Sequence, residues 1–495
     1  MAIDWMIRVL LGIALIWCSI VYVVSSVLWR PKRAKQRSVK QPRYKHKWYK
    51  KPKPFEGLVR RPVCALCEAG MHTHTGAVSE EGERLKRPPQ ITAKRGRKRS
   101  VDTKAQYCPY PVCPYYGWVD CGNIRANGHP NGGPHRQLEC VVCKTFFMET
   151  EGTIFKGSRV PVKTILWAIT ALCEGVGIRK VARICGVHPD EVLGWLVEAS
   201  KHSEAVSRYL LHDLHVERVQ MDELYVLLGG MKQVEEQAKK PDTKKKRLHS
   251  WLWSAIDPES KLLLAVEIGD RTLDVAQRLV HWVAQALAPG EVPLFETDQL
   301  VSYEKAILSH WGEWVEPAKN TGGQPEKPRW MPPLLRSGQA QLQYAQVVKE
   351  RSRKRIVGVT HRVVYGTKEA VKQVLARVGQ KINTAFIERL NRTFRAHIPG
   401  LNRREEDLAK TELGAKRRAL LFWGYYNFCL PHLSLRERLL QPVATKGTGS
   451  PKKWRQRTPA MAAGLTDHIW DVQELLLFRI PPWRQQNDAS VEIAA

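Results

Sequence analysis

The sequence predicts an α/β protein: a mixed sheet with flanking helices, preceded by a small cysteine module, three short helices and an N-terminal apolar helix. Three observations carry this. RVQMDELYVLL (218–228) reads as a strand, and HSWLWSAID (249–257) and KLLLAVEIG (261–269) as a hairpin turning at Pro258–Ser260. A helical stretch then leads to VPLFETD (292–298), a short buried strand. Ahead of them stand four cysteines in the pattern C-x4-C-x26-C-x2-C. The chain's 495 residues are enough for about three domains. Apolar residues make up 43% and charged residues 26%, which excludes wholesale disorder, a fibrous protein and a polytopic membrane protein. Lys and Arg outnumber Asp and Glu 79 to 48, a formal net charge of +31. Such an excess suits a polyanionic partner, nucleic acid ahead of an anionic membrane surface.

The N-terminal 30 residues hold an uncharged apolar run at 9–29, long enough to span a bilayer and followed at once by Arg30, Lys32, Arg33, Lys35 and Arg37. The positive-inside rule makes it a candidate anchor with the rest of the chain in the cytoplasm; a buried helix or an upstream start are the alternatives. Residues 30–61 carry fourteen Lys/Arg against one acid and read as a basic linker, within a segment (31–104) that also holds the Cys64/Cys67 pair. His72 and His74 follow that pair and make a second metal site conceivable. A further basic run, KRGRKR at 94–99, leads into the module at 105–158. There Cys108, Cys113, Cys140 and Cys143 have the spacing of a zinc ribbon, in which four thiolates close a tetrahedral shell around structural Zn2+. Cys121, His129 and His135 lie inside the arm as alternative ligands.

Residues 159–210 turn helical. Ile165, Leu166, Ile169 and Leu172 share one face of a first helix, 178–185 forms a second, and Gly186 and Pro189 introduce a third at about 189–200. This is the outline of a helix-turn-helix. Lys180 and Arg183 on the second helix are candidate DNA contacts, whereas Asp190 and Glu191 at the start of the third would repel phosphate.

The segment 215–400 carries the chemistry. DRTLDVAQRLVHWVAQAL forms the helix between the hairpin and the strand at 292–298, its apolar side Val275, Leu279, Trp282 and Val283. A Pro/Gly-rich insertion at about 312–345 reads as a loop, and VTHRVVYG after it as a short strand. INTAFIERLNRTFRAHI is an amphipathic helix with Ile382, Phe386, Ile387, Leu390 and Phe394 on one face. Thr384, Glu388, Asn391, Arg392 and Arg395 share the other. Asp222 in a strand, Asp298 at a strand end and Glu388 on a helix suit two-metal phosphoryl chemistry, in which carboxylate oxygens hold a pair of Mg2+ ions. Glu223, Asp257, Asp270 and Glu296 are rivals that spacing does not exclude. Residues 401–495 read as a helical region to about Cys429, a basic linker at 441–458 and a tail.

The order CPYPVCPYYG…CVVC, helix-turn-helix, MDELY, WLWSAID, GDRT, TD(x4)Y and NTAFIERLNRTFR resembles insertion-sequence transposases of the DDE type with an RNase H-like core. YYNFCLPHLSLR and TPAMAAGLTDH resemble their closing segments, so the likeness spans roughly 55–480. The apolar run at 9–29 and the insertion depart from the family pattern. The resemblance implies that Asp222, Asp298 and Glu388 bind catalytic Mg2+ or Mn2+, with Tyr303, Asn391 and Arg392 near the bound strand and Arg395 beside them. It implies that the N-terminal modules recognise the terminal repeats of a mobile element, whose ends are cut with water and joined through the 3′-OH to target DNA. Double-stranded DNA and further copies of the chain in a synaptic complex are the implied partners. The expected location is the cytoplasm at the nucleoid, or the inner membrane if 9–29 anchors it. A non-catalytic DNA-binding descendant of such an enzyme is the rival expectation.

Overall fold

The computed structural model describes residues 87–91, 103–132, 135–158, 160–231, 247–315, 329–332, 342–353, 355–379, 381–401, 408–444 and 449–483. The apolar run 9–29, the basic stretch 30–61, Cys64, Cys67 and the KRGRKR run lie outside them. No helix among the described residues is long and apolar enough to cross a membrane.

A Gly-, Pro- and Cys-rich segment has few apolar side chains to bury, and it folds around its cysteines. Strands β1 (Ile124–Ala126), β2 (Gln137–Cys140) and β3 (Phe146–Met148) form an antiparallel sheet. Ile124, Leu138 and Phe147 pack with Tyr115, Trp118 and the cysteines into a small separate core. The far end of the chain closes over it. Gly117 has φ +73°, and a Cβ there would meet Pro482 and Trp483 at 2.6 and 2.7 Å. Trp483 stands edge-on to Tyr116 and Trp118, with ring centroids 5.5 and 5.8 Å away. The Arg479 guanidinium lies over the rings of Tyr107 and Phe147 and donates to the Tyr107 carbonyl at 2.9 Å.

Helices α1 (Val162–Cys173), α2 (Ile178–Cys185) and α3 (Pro189–Leu210) stand where the apolar spacing put them. Gly186 ends α2 in the left-handed region at φ +67°. The third helix differs from expectation: it continues to Leu210 because its second half has a buried neighbour. Ser203 Oγ donates to the Leu420 carbonyl at 2.8 Å, and Ala199 and Val206 are fully buried.

The main sheet starts with the antiparallel strands β4 (Arg218–Met231), β5 (Arg247–Ile256) and β6 (Leu263–Gly269). Helix α4 (Leu273–Ala286) crosses to β7 (Leu294–Thr297), which lies parallel to β4 on its open side. Helix α5 (Val301–Trp311) follows, then a small ribbon of β8 (Glu313–Val315) and β9 (Arg329–Met331). Strand β10 (Gln343–Ser352) runs parallel to β7, and β11 (Arg355–Tyr365) returns antiparallel. The order β11-β10-β7-β4-β5-β6 is a six-stranded mixed sheet with flanking helices, compatible with an RNase H-like core. The insertion expected as a loop over 312–345 therefore holds a ribbon, whose Trp314 and Trp330 meet edge-on at 5.6 Å. Its last residues open β10, a strand the sequence reading missed; VTHRVVYG is the back half of β11.

Helices α6 (Lys368–Arg377) and α7 (Ala385–His397) follow, then α8 (Glu412–Gly424), which runs into a π turn at Tyr425–Cys429. Within that turn Asn427 is fully buried and pairs with both backbone groups of Leu263, covering the edge of β6. The stretch expected as a basic linker instead forms a second ribbon, β12 (Glu437–Val443) with β13 (Lys452–Arg455). Short helices α9 (Pro459–Ala462) and α10 (Val472–Leu477) end the described fold. One continuous hydrophobic core joins the three N-terminal helices, the sheet, α7, α8 and α10.

Candidate active site

The register of two parallel strands sets the site. Gln220 on β4 is the partner of Glu296 on β7, so Asp222 and Asp298, each two residues further on, emerge side by side. Helix α7 lies across this end of the sheet and is tied down from below. Gln220 Oε1 accepts from the Ile387 amide at 3.2 Å, one of the donors a helix N-terminus leaves unpaired. Gln220 Nε2 donates to the Asn383 carbonyl at 2.7 Å and to Glu296 at 3.1 Å. Glu296 accepts in turn from the Asn383 amide at 3.0 Å. Gln220 and Glu296 are both wholly buried, and they fix the first turn of α7, from which Glu388 projects.

The result is an open cleft of about 720 Å3 whose walls include Asp222, Glu223, Asp298, Lys349, Glu388 and Arg392. Asp222, Glu223 and Asp298 each bring an oxygen within 4.8 Å of the others. Glu388 faces the same cleft, paired with the Lys349 ammonium and accepting from Thr384 Oγ1 at 3.0 Å. Arg271 reaches Glu223 at 2.9 Å and Asp298 at 3.6 Å, its guanidinium over the Trp251 ring. Burial, and then the Asp298 carboxylate, push Asp222 up to about 6 and Glu223 up to about 8. Burial also raises Glu388, but the Lys349 ammonium and the Thr384 hydroxyl outweigh it and hold the carboxyl below its usual range.

The structure thus brings Asp222, Asp298 and Glu388 to one cleft, and Arg392 and Arg395 line it with exposed side chains. Two expected strand contacts differ. Asn391 is buried and donates to Asp222 Oδ2 at 2.8 Å, so it orients that carboxylate. Tyr303 is wholly buried, edge-on to Trp253 at 5.6 Å, and has no surface to offer a strand; its hydroxyl, raised well above its usual value by burial and the nearby Glu223 and Asp222, lies beneath the carboxylates. Lys180 and Arg183 are exposed on α2, away from the cleft lining. Among the rivals, Glu223 belongs to the cleft, while Asp257 caps its own turn, accepting from the amides of Glu259 and Ser260. Asp270 is exposed and is not part of the cleft lining. Arg271 and Lys349 escaped the sequence reading. The Arg of GDRT directly after β6 was the available signal for one; Lys349 sits on the strand that was missed.

The donor set fits hard divalent cations. Three carboxylates cluster within reach of one ion, and the one cation paired with them among the described residues, Arg271, reaches only Glu223 and Asp298, while Asp222 is held by the neutral Asn391 amide. The four predicted cysteines also converge, with Sγ atoms within 4.8 Å of one another. Cys108 and Cys143 sulfurs are 3.5 Å apart, Cys113 and Cys140 3.9 Å. These bracket the ~3.8 Å edge of a tetrahedron with Zn–S bonds of ~2.3 Å. Asn123 Nδ2 donates to Cys140 Sγ at 3.5 Å, and the hydrogen bond with Cys108 holds the Cys140 thiol below its usual range. Cys121 stands apart from the four, its thiol on the Val119 carbonyl, and His129 and His135 are not among them.

No protein-family model matches the chain, and no curated relative matches it. Among solved structures it is similar to the Mos1 strand transfer complex, at 13% identity over 30% of this chain and 54% of that one, with a TM-score of 0.13. The Mos1 mariner paired end complex with Mn gives 12% identity over 30% and 55%, also at 0.13. The chain spans little more than half the length of these neighbours, and at such TM-scores the likeness lends no weight to fold or function.

Proposed function

We propose that the chain is a DNA transposase of the DDE type, which binds the ends of a mobile element, cuts there and joins the freed 3′-OH to target DNA. The observation that carries this reading is the convergence of Asp222, Asp298 and Glu388, from two neighbouring parallel strands and one overlying helix, on a cleft that Arg271, Lys349, Arg392 and Arg395 also line. Asp222, Asp298 and Glu388 would hold the catalytic Mg2+ or Mn2+, which when bound supplies charge for the attacking and leaving oxygens of phosphoryl transfer. Asn391 keeps Asp222 turned into the cleft. Arg392 and Arg395, exposed along the lip, bind the phosphates on either side of the scissile one. Glu223 adds a fourth carboxylate to the floor of the site.

Cys108, Cys113, Cys140 and Cys143 would hold structural Zn2+ as a zinc ribbon. Helices α1 to α3, with Lys180 and Arg183, act beside it as a helix-turn-helix in recognising the element ends. Two ends must be held together, so a synaptic complex of at least two copies is the working form, and its place is the cytoplasm with the nucleoid. The test is Mg2+-dependent cleavage and joining on DNA carrying the element ends, comparing wild type with Asp222→Ala, Asp298→Ala and Glu388→Ala. Loss of both activities in all three, with DNA binding retained, is the expected result. A wild-type chain that binds the ends and never cuts them would overturn it in favour of a non-catalytic DNA-binding protein.

A further inference from the structure

The β12–β13 ribbon lies away from the cleft lining and has no role in the reading above. A free two-stranded ribbon is marginal in water, and this one is exposed along nearly all of both strands. It is nevertheless built to stand out. Its base is anchored: Arg457 pairs with Glu437 and donates to the Met461 carbonyl, and Arg455 donates to the Asp467 carbonyl. Its register then jumps from Arg438↔Trp454 to Val443↔Lys452, so that Leu439 to Pro442 stand opposite Lys453 alone. Such a bulge accepts Pro442, which has no amide to pair, and it turns Leu440 outward to 103% exposure. Val443 at 57% and Trp454 at 39% are also held in solvent, the latter beneath the Arg436 guanidinium at 4.4 Å.

Exposed apolar side chains of this kind mark a surface with a partner, and charge identifies its class. Described residues 436–444 and 449–457 contain six Lys/Arg and a single acid, Glu437. A second copy of the same ribbon would be repelled by it; a polyanion would not. A two-stranded ribbon is also the width that the major groove of duplex DNA admits, where apolar side chains meet thymine methyls. We infer that this ribbon is a DNA-binding arm: Arg438, Lys452 and Lys453 contact phosphates, and Leu440 on the bulge makes the apolar contact inside the groove. The arm rests on duplex DNA being the substrate, as proposed above, but not on the carboxylate chemistry.

The test uses the full chain and a duplex of about 30 base pairs without element ends, with no added divalent metal, titrated across a salt series. Lys452→Ala with Lys453→Ala should lower the slope of log affinity against log salt by about 2. Leu440→Ala should weaken binding about tenfold at every salt concentration and leave the slope unchanged. Both sites are exposed, so wild-type thermal melting is expected of both variants and confirms their fold. Wild-type affinity and slope in the two variants would overturn the proposal. So would unchanged DNA binding with a loss of self-association in sedimentation, which would give the ribbon to a second copy of the chain. A wild-type chain that fails to bind duplex would overturn the arm together with the DNA substrate. A chain that binds through the ribbon and never cuts would keep the arm and overturn the catalytic reading alone.

Discussion

Replacing Gln220 by Met keeps the length of the side chain and removes both polar atoms from beneath helix α7. Three groups lose a partner: the buried Ile387 amide, one oxygen of the buried Glu296 and the half-buried Asn383 carbonyl. Each unpaired buried group costs about 1–3 kcal/mol, and because the three share one network their losses do not add in full. The expected destabilisation is about 3 kcal/mol, read from the urea midpoint at an unchanged slope. The freed turn is the one that carries Glu388, so a displacement of ~1 Å there should slow strand cleavage about 100-fold. Duplex affinity should hold, because Arg392 and Arg395 lie further along the helix than the freed turn. Gln220→Met with stability and cleavage rate both within about twofold of wild type would refute the view that this glutamine positions the helix.

Other outcomes follow from the same geometry. Asp222 at about 6 and Glu223 at about 8 bind protons more tightly in the folded chain than in the unfolded one, where carboxyls titrate near 4. The metal-free protein should therefore lose stability as pH rises from about 4 to about 8, with Mg2+ restoring it at the upper end. Thermal midpoints at about pH 5.5 and about pH 8 check this; Glu223→Gln should flatten the decline, and an equal decline in both chains counts against it. Metal analysis should find Zn2+ with the purified chain, lost in Cys113→Ser, and a strong chelator should make the four module thiols newly reactive to a thiol reagent. Full thiol reactivity before chelation would exclude a bound ion.

Local pattern made some of this legible. Strand alternation and helix spacing are short-range signals and place Asp222, Asp298 and Glu388 on two strands and a helix, as the cysteine spacing places the module, but they leave Glu223, Asp257, Asp270 and Glu296 open, and only the family resemblance singles out the three. What could not be read is what depends on partners far along the chain. Strand β10 hid because Gln343, Gln346, Lys349 and Glu350 interrupt its apolar pattern; buried Gln346 is acceptable only because Tyr344 and Glu304 lie beside it. The strand contacts that the resemblance implies for Tyr303 and Asn391 go uncorrected by the sequence, because nothing local says that one lies under Trp253 and the other faces Asp222. Helix α3 outran its expected end because its second half packs on residues some two hundred positions away. The stretch 441–458 reads as linker because the parts of β12 and β13 within it bury almost nothing, and burial is what alternation detects.

The closure of the cysteine module by Trp483 and Arg479 has a consequence for biosynthesis. The module begins near residue 103, yet the side chains that complete its packing belong to the last segment translated among those described. During elongation the module must wait, with Trp118 and Tyr116 uncovered, while more than three hundred intervening residues are made. A nascent or truncated chain lacking residues 479–483 therefore leaves the cysteine module incompletely packed. Residues 479–483 thus seal a module made more than three hundred residues earlier, which ties the packing of that module to synthesis of the chain at least as far as Trp483.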